Sequence, residues 1–263
     1  MRKGLLSLVL ALCGTLAWAQ GVSDQATAAA VEAFTTGQEA VQKGDFATAI
    51  PALEKALSLN PELHMAHYWL GLALVAKQEP VKAAEHLQTF IQKMEADPGQ
   101  AAAVAHARVN LVALLLKDKK FADATPHLQK LIAGKPDDAR LRLDLAQCLI
   151  AAKDEAGAEE QLVKVMELSP KAAMPFLLAG RMAYQRKDDV AAKQRLNAFV
   201  ALMSDGAQAG QAYFMLGQIA RRANDNEAAK GYFTKYLATN PPASPQVDGV
   251  KQFLAGTPAL PAP

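Results

Sequence analysis

Few side chains in this 263-residue chain have the type and spacing that chemistry needs. His64 and His67 stand three apart, which on a helix places two imidazoles on one face where they could share a metal ion. Two ligands are too few, however, and no cysteine or carboxylate stands at helical spacing beside them, so no metal is expected. The sequence contains no glycine-rich phosphate loop, no His-Glu-x-x-His and no Gly-x-Ser-x-Gly. Without a nucleophile beside a base, a carboxylate pair in a cleft or a metal cluster, the chain is not expected to be an enzyme or to carry a cofactor.

The first residues read as an address. Arg2 and Lys3 precede an apolar run from Leu5 to about Leu16, followed by Ala17-Trp18-Ala19, the pattern of a secretory signal peptide over 1–19 cleaved after Ala19. The run is shorter than the roughly 20 apolar residues that span a bilayer, and no later run is expected to be long enough. The expected location is therefore outside the cytoplasm, periplasmic or secreted, in a bacterium. The alternative is a lipoprotein acylated at Cys13, disfavoured because Leu12 stands where a small residue is wanted. The leader takes two of the 28 basic residues and none of the 26 acidic ones, leaving a balanced chain with no uniform field to draw nucleic acid or anionic lipid. Cys148 alone would remain, so stability must come from packing rather than from an intramolecular disulfide.

The elements that could position any site follow from a repeat. The phrase "KGDFATAIPALEKALSLNP" (Lys43 to Pro61) returns in variant form at about 34-residue intervals. Six units are expected: 30–63, 64–104, 105–138, 139–172, 173–209 and 210–243, after a lead-in over 20–29. A capping helix over 244–256 and a Pro/Ala tail over 257–263 follow. Small residues recur in the first helix of a unit (Gly37, Gly71, Gly180, Gly217) and in the second (Ala49, Ala83, Ala124, Ala158, Ala192, Ala229). They allow antiparallel helices to approach closely while Leu and Phe fill the space against the next unit. Extra residues in "KMEADPGQAAA" are expected to lengthen the second helix of repeat two, before a turn at Asp97-Pro98-Gly99. Pro51 and Pro126 occupy equivalent places in second helices, where a slight kink is expected. Cys148 matches Ala73, Leu114, Met182 and Ile219 in register, which points to a small buried thiol.

"YFMLGQIARRANDNEAAKGYFTKYLATNP" (Tyr213 to Pro241) and "HYWLGLALVAKQEPVKAAEHLQTFI" (His67 to Ile91) carry Leu-Gly, Ala, an aromatic or Leu, and, in the first, a closing Pro at fixed offsets. In these residues the chain resembles the tetratricopeptide repeat family. The resemblance covers most of the chain and implies an all-α, right-handed superhelical solenoid of antiparallel helix pairs that binds proteins or peptides without catalysis. It also implies that positions 2, 5, 9 and 12 of each first helix line a concave groove. Applied to this sequence, that gives Val31, Phe34, Gln38 and Val41, then Met65, Tyr68, Leu72 and Val75, then His106, Val109 and Leu116. It continues with Arg140, Leu143 and Gln147, then Met174, Leu177, Arg181 and Tyr184, and ends with Phe214, Gln218 and Arg221. The first half of this set is apolar, whereas the second holds three arginines able to grip carboxylates through paired hydrogen bonds.

The expected partner is thus a segment of another protein, apolar at one end and acidic at the other. Nucleic acid is not expected, and a homo-oligomer is possible. A second reading has the apolar positions packing on neighbouring helices or on the chain's own 22–29 segment, and the arginines pairing with Asp144, Asp188 or Asp225. Family members that bind chaperone C-termini carry Lys and Asn at positions 5 and 9 of the first repeat. Phe34 and Gln38 stand there, or Tyr68 and Leu72 in the next unit, so that ligand is disfavoured. Besides a free scaffold, a lipid-tethered envelope-assembly factor and a self-associating structural protein fit the same features.

Overall fold

The computed structural model describes residues 27–256; the leader, most of the lead-in and the tail over 257–263 lie outside the described residues. Among the described residues the secondary structure is helical throughout, with no strand. α1 covers 27–43, followed by α2 (Phe46–Leu59), α3 (His64–Ala76), α4 (Pro80–Met94), α5 (Ala101–Lys117) and α6 (Phe121–Gly134). Then come α7 (Ala139–Ala151), α8 (Glu155–Leu168), α9 (Ala173–Gln185), α10 (Asp189–Leu202), α11 (Gly206–Arg222), α12 (Asn226–Ala238) and α13 (Pro245–Leu254). Odd-numbered helices through α11 are the first helix (A) of a repeat and even-numbered ones the second (B). Two compact units are present, one ending at His127 and the other beginning at Leu128, within α6.

One turn, used six times, creates the helix pairs. Gly44, Gln78, Lys119, Lys153, Lys187 and Asn224 take left-handed φ values between 57° and 76° at the same register of successive repeats. The following residue donates its backbone N–H five residues back, as in Asp45 to Ala40, Glu79 to Leu74 and Asp188 to Ala183, each 2.9 Å. This pair of features is a Schellman C-cap, which satisfies the last carbonyls of helix A. The same residue then starts helix B: Asp45, Asp154, Asp188 and Asp225 each accept a hydrogen bond from the backbone N–H three residues on. One residue therefore ends one helix and begins the next, which keeps the connection short.

Within a pair, helix A lies so close to helix B that side chains decide the fit. A Cβ placed on Gly71 would come within 2.8 Å of Leu87, and one on Gly217 within 2.4 Å of the Phe233 ring. The filled positions are the large, fully buried side chains Leu53, Leu87 and Phe90 of the first unit and Leu162, Leu196, Phe199 and Phe233 of the second. In the first unit Leu53, Ala66, Leu70, Leu74 and Ala83 form one core, on which Phe34, Val41, Trp69 and Val75 pack. In the second, α9 to α12 and Val247 and Val250 of α13 share a continuous core. Cys148 is buried on α7.

Two expectations are corrected. The extra residues after repeat two do not lengthen α4, which stops at Met94; Asp97 accepts from the Gly99 N–H and Pro98 begins a 3-10 turn that leads directly into α5. The insertion thus becomes an extra turn on the front of helix A of repeat three. The residues added before repeat six are absorbed in the same way, because α11, like α5, has 17 residues where α3, α7 and α9 have 13. Finally, the stretch Pro98–Lys117 is long and apolar enough, by length and composition alone, to cross a membrane. It also buries Val104, Ala107, Leu111 and Val112 and places Arg108 against Glu95 at 3.0 Å, as a core helix does. α2 and α6 run through Pro51 and Pro126 without interruption.

Candidate functional site

In the first unit the expected lining residues of α1 and α3 are half-buried: Phe34, Gln38, Met65, Tyr68 and Leu72 each leave part of the side chain in solvent. Val31 and Val109 are about half exposed, at 48% and 47%. Tyr68 is the best-held member. Its hydroxyl lies 2.9 Å from His106 Nδ1, its ring sits 5.1 Å from Phe90, and Trp69 meets it edge-on at 5.2 Å. Burial pushes the phenol above its ordinary value, so it stays a neutral hydrogen-bonding group. The result is an apolar strip with one fixed polar point.

His64 and His67 do not act together. His64 Nε2 faces Glu62 at 3.2 Å, whereas His67 Nδ1 meets His86 Nδ1 of α4 at 2.8 Å. No group of three or more potential metal ligands occurs among the described residues. The His67–His86 contact was not foreseen, since nothing in a 19-residue separation marks it.

The second unit carries the polar part. Arg140 and Gln147 on α7 and Arg181 on α9 are exposed, with Leu143 and Met174 half-buried beside them in sequence. Asp144, one turn after Arg140, is held above the usual carboxylate range by burial, an effect that the Arg140 charge opposes. Arg181 makes no salt bridge among the described residues, and Asp188 and Asp225 act as helix caps rather than as partners for these arginines.

Other members of the set are already engaged. Leu177 is only 2% exposed and belongs to the core, because its place on α9 turns it toward α10 and α11 rather than to solvent. Tyr184 lies 4.6 Å beneath the Arg222 guanidinium, which grips Asp189 through two hydrogen bonds. Phe214 stacks against Phe233 and Tyr236. Arg221 covers the Phe253 ring of α13 at 5.2 Å, and Gln218 accepts a 3.5 Å bond from it. The basic character expected of three arginines is thus carried by Arg140 and Arg181, since the capping helix occupies Arg221.

Two further depressions lie at the start of B helices. One, of about 480 Å³, is lined by Val190, Lys193, Asn197, Ile219 and Ala220; the other, of about 350 Å³, by Val81, Ala84, Gln88, Leu114 and Leu115. They occupy the same register in repeats five and two, fronted by Val190 and Val81 at 83% and 66% exposure.

Comparison with known proteins places this geometry. Structures with the same fold include one described as a functional characterisation of pilF from Pseudomonas aeruginosa, 21% identical, covering 89% of this chain and 99% of that one with a TM-score of 0.53. YrrB, described as a tetratricopeptide protein with an unusual peptide-binding site, is 20% identical over 70% of this chain and 91% of its own, with a TM-score of 0.58. PilW, described as a type IV pilus biogenesis factor, is 16% identical over 84% and 98%, with a TM-score of 0.51. At these identities the likeness concerns the fold alone. No curated protein sequence matches the chain. Three tetratricopeptide repeat profiles match residues 34–101, 115–179 and 210–242, together more than half of the sequence. With the repeated Schellman turn, the glycine-to-leucine fit and these matches in hand, the chain belongs to the tetratricopeptide repeat family.

Proposed function

We propose that the protein is a non-catalytic scaffold, exported to the periplasm or cell envelope of a bacterium, whose A-helix faces bind a segment of another protein. The observation that carries this reading is the division of labour within each helix pair. Core contacts use the Gly71 and Gly217 side of the A helices, while Met65, Leu72, Arg140, Gln147 and Arg181 keep accessible surface. The first unit offers an apolar strip around the fixed Tyr68 hydroxyl; the second offers two guanidinium groups. Each surface by itself complements a peptide feature: the strip an apolar anchor, the guanidinium groups carboxylates. The peptide-binding and pilus-biogenesis descriptions of similar folds support a role in protein assembly, and the leader supports export.

The test is affinity capture from a native envelope extract followed by titration of the captured partner. Arg140→Ala with Arg181→Ala is expected to weaken binding about tenfold or more, given the worth of hydrogen bonds between charged groups. The remaining affinity should depend less on salt. Unchanged affinity would remove the arginines from the site. Mass spectrometry of the mature N-terminus tests the address: a free end at Gln20 supports cleavage, and an acylated Cys13 would replace it with a lipid tether.

A further inference from the structure

His67 on α3 and His86 on α4 face one another with Nδ1 atoms 2.8 Å apart and ring centroids 5.0 Å apart. At that distance one nitrogen must donate and the other accept, so the contact holds only while at least one imidazole keeps a lone pair at Nδ1. With both rings protonated, two N–H groups and two positive charges would point at each other in a half-buried place. The surroundings supply few neutralising charges. α3 contributes His64, itself beside Glu62; α4 contributes Glu85; and α2 contributes Glu54, whose negative charge Lys82 also feels. α5 brings His106, bound to Tyr68, and Arg108, paired with Glu95.

We propose that His67 and His86 form a proton-sensitive clasp between the two helices of repeat two: closed at neutral pH, it is forced apart when acid adds the second proton. The movement reaches the accessible strip directly, because Tyr68 follows His67 on α3 and leans on Phe90 of α4. This goes beyond the binding reading, since the clasp needs no partner. Burial holds both imidazoles below their ordinary value of about 6.5, and the neighbouring histidines lower His67 further. With the folded values lowered, the clasp contributes fully above about pH 6.5 and is lost as the pH falls from there through the folded values.

The experiment compares thermal unfolding of the full chain at pH 7.5 and 5.5 for the wild type, His67→Asn, His86→Asn and His127→Asn. Asparagine keeps an amide near the Nδ1 position and does not titrate. His127 is the control, because burial and Arg108 lower it independently of the pair. The wild type is expected to lose about 2–4 °C more on acidification than either pair variant; His127→Asn removes only the contribution of its own imidazole, so adding His67→Asn to it is expected to cut the acid loss by that same amount again. Imidazole titration of the wild type by NMR gives a second readout that needs no variant to fold. It should show two coupled steps, the lower well under pH 6.5 and accompanied by shifts of the Tyr68 ring. Equal acid losses in the wild type and the pair variants, or two independent titrations near pH 6.5, would overturn the clasp.

Discussion

Gly217 shows how a single residue sets the spacing of a repeat. A methyl group there would sit 2.4 Å from Cε1 and 2.6 Å from Cδ1 of Phe233, whose ring is itself held by Phe214 and Phe253 and cannot swing aside. Gly217→Ala is therefore expected to cost about 1–3 kcal/mol in chemical denaturation, as overpacking does. Gly231, on α12, meets nothing within 4 Å, so Gly231→Ala should instead add about 0.5–1 kcal/mol through helix propensity. Two glycines in one repeat with opposite responses separate packing from propensity. Among the candidate lining residues, Leu177 makes the converse point: its position in the repeat suggested exposure, yet the α9 helix rotates it into the core. Register specifies a face only to within the width of a side chain, and burial decides the rest.

The helix pair is the level at which the sequence was most legible. The 34-residue phrase marks the B helices because their buried alanines and leucines recur with little change, as with Ala49, Leu53 and Ala56. What links the helices was harder to read. Lysine is not a residue that favours positive φ, yet Lys119, Lys153 and Lys187 adopt it because the Schellman turn and the following cap together over-determine the backbone. Lys153→Gly is expected to raise stability by about 0.5–1 kcal/mol, since relief of the left-handed strain exceeds the added freedom of the unfolded chain. Asp225→Ala, which removes the acceptor for the Ala228 N–H, should lower stability by about 1 kcal/mol. Denaturant titration of the two variants reads both signs. The insertion before α5 was misplaced for a related reason: Pro98 can open a helical turn as readily as it ends one, so the three alanines after Gln100 join α5. Cross-helix contacts such as His67 with His86 depend on the rotation of one helix against another, which no local pattern encodes.

At the scale of the molecule, each unit is built from contacts between neighbouring helices, the arrangement of a stacked array in which local terms add along the chain. In the second unit this packing is reinforced by paired charges between repeats: Arg195 with Glu159, Arg186 with Glu155 and Arg222 with Asp189. Those charges are spent on the fold, whereas Arg140 and Arg181 are not. The central claim is that the A-helix faces are the working surface, and site-specific photocrosslinking in the native cell tests it most directly. A photoreactive side chain is placed at Leu72, Gln147 or Arg181 on A helices and, for comparison, at Val81, Lys164 or Val190 on B helices. Adducts to a partner protein from the first three positions and not from the others are predicted. Adducts confined to Val81, Lys164 and Val190 would contradict the account and move the working surface to the B helices.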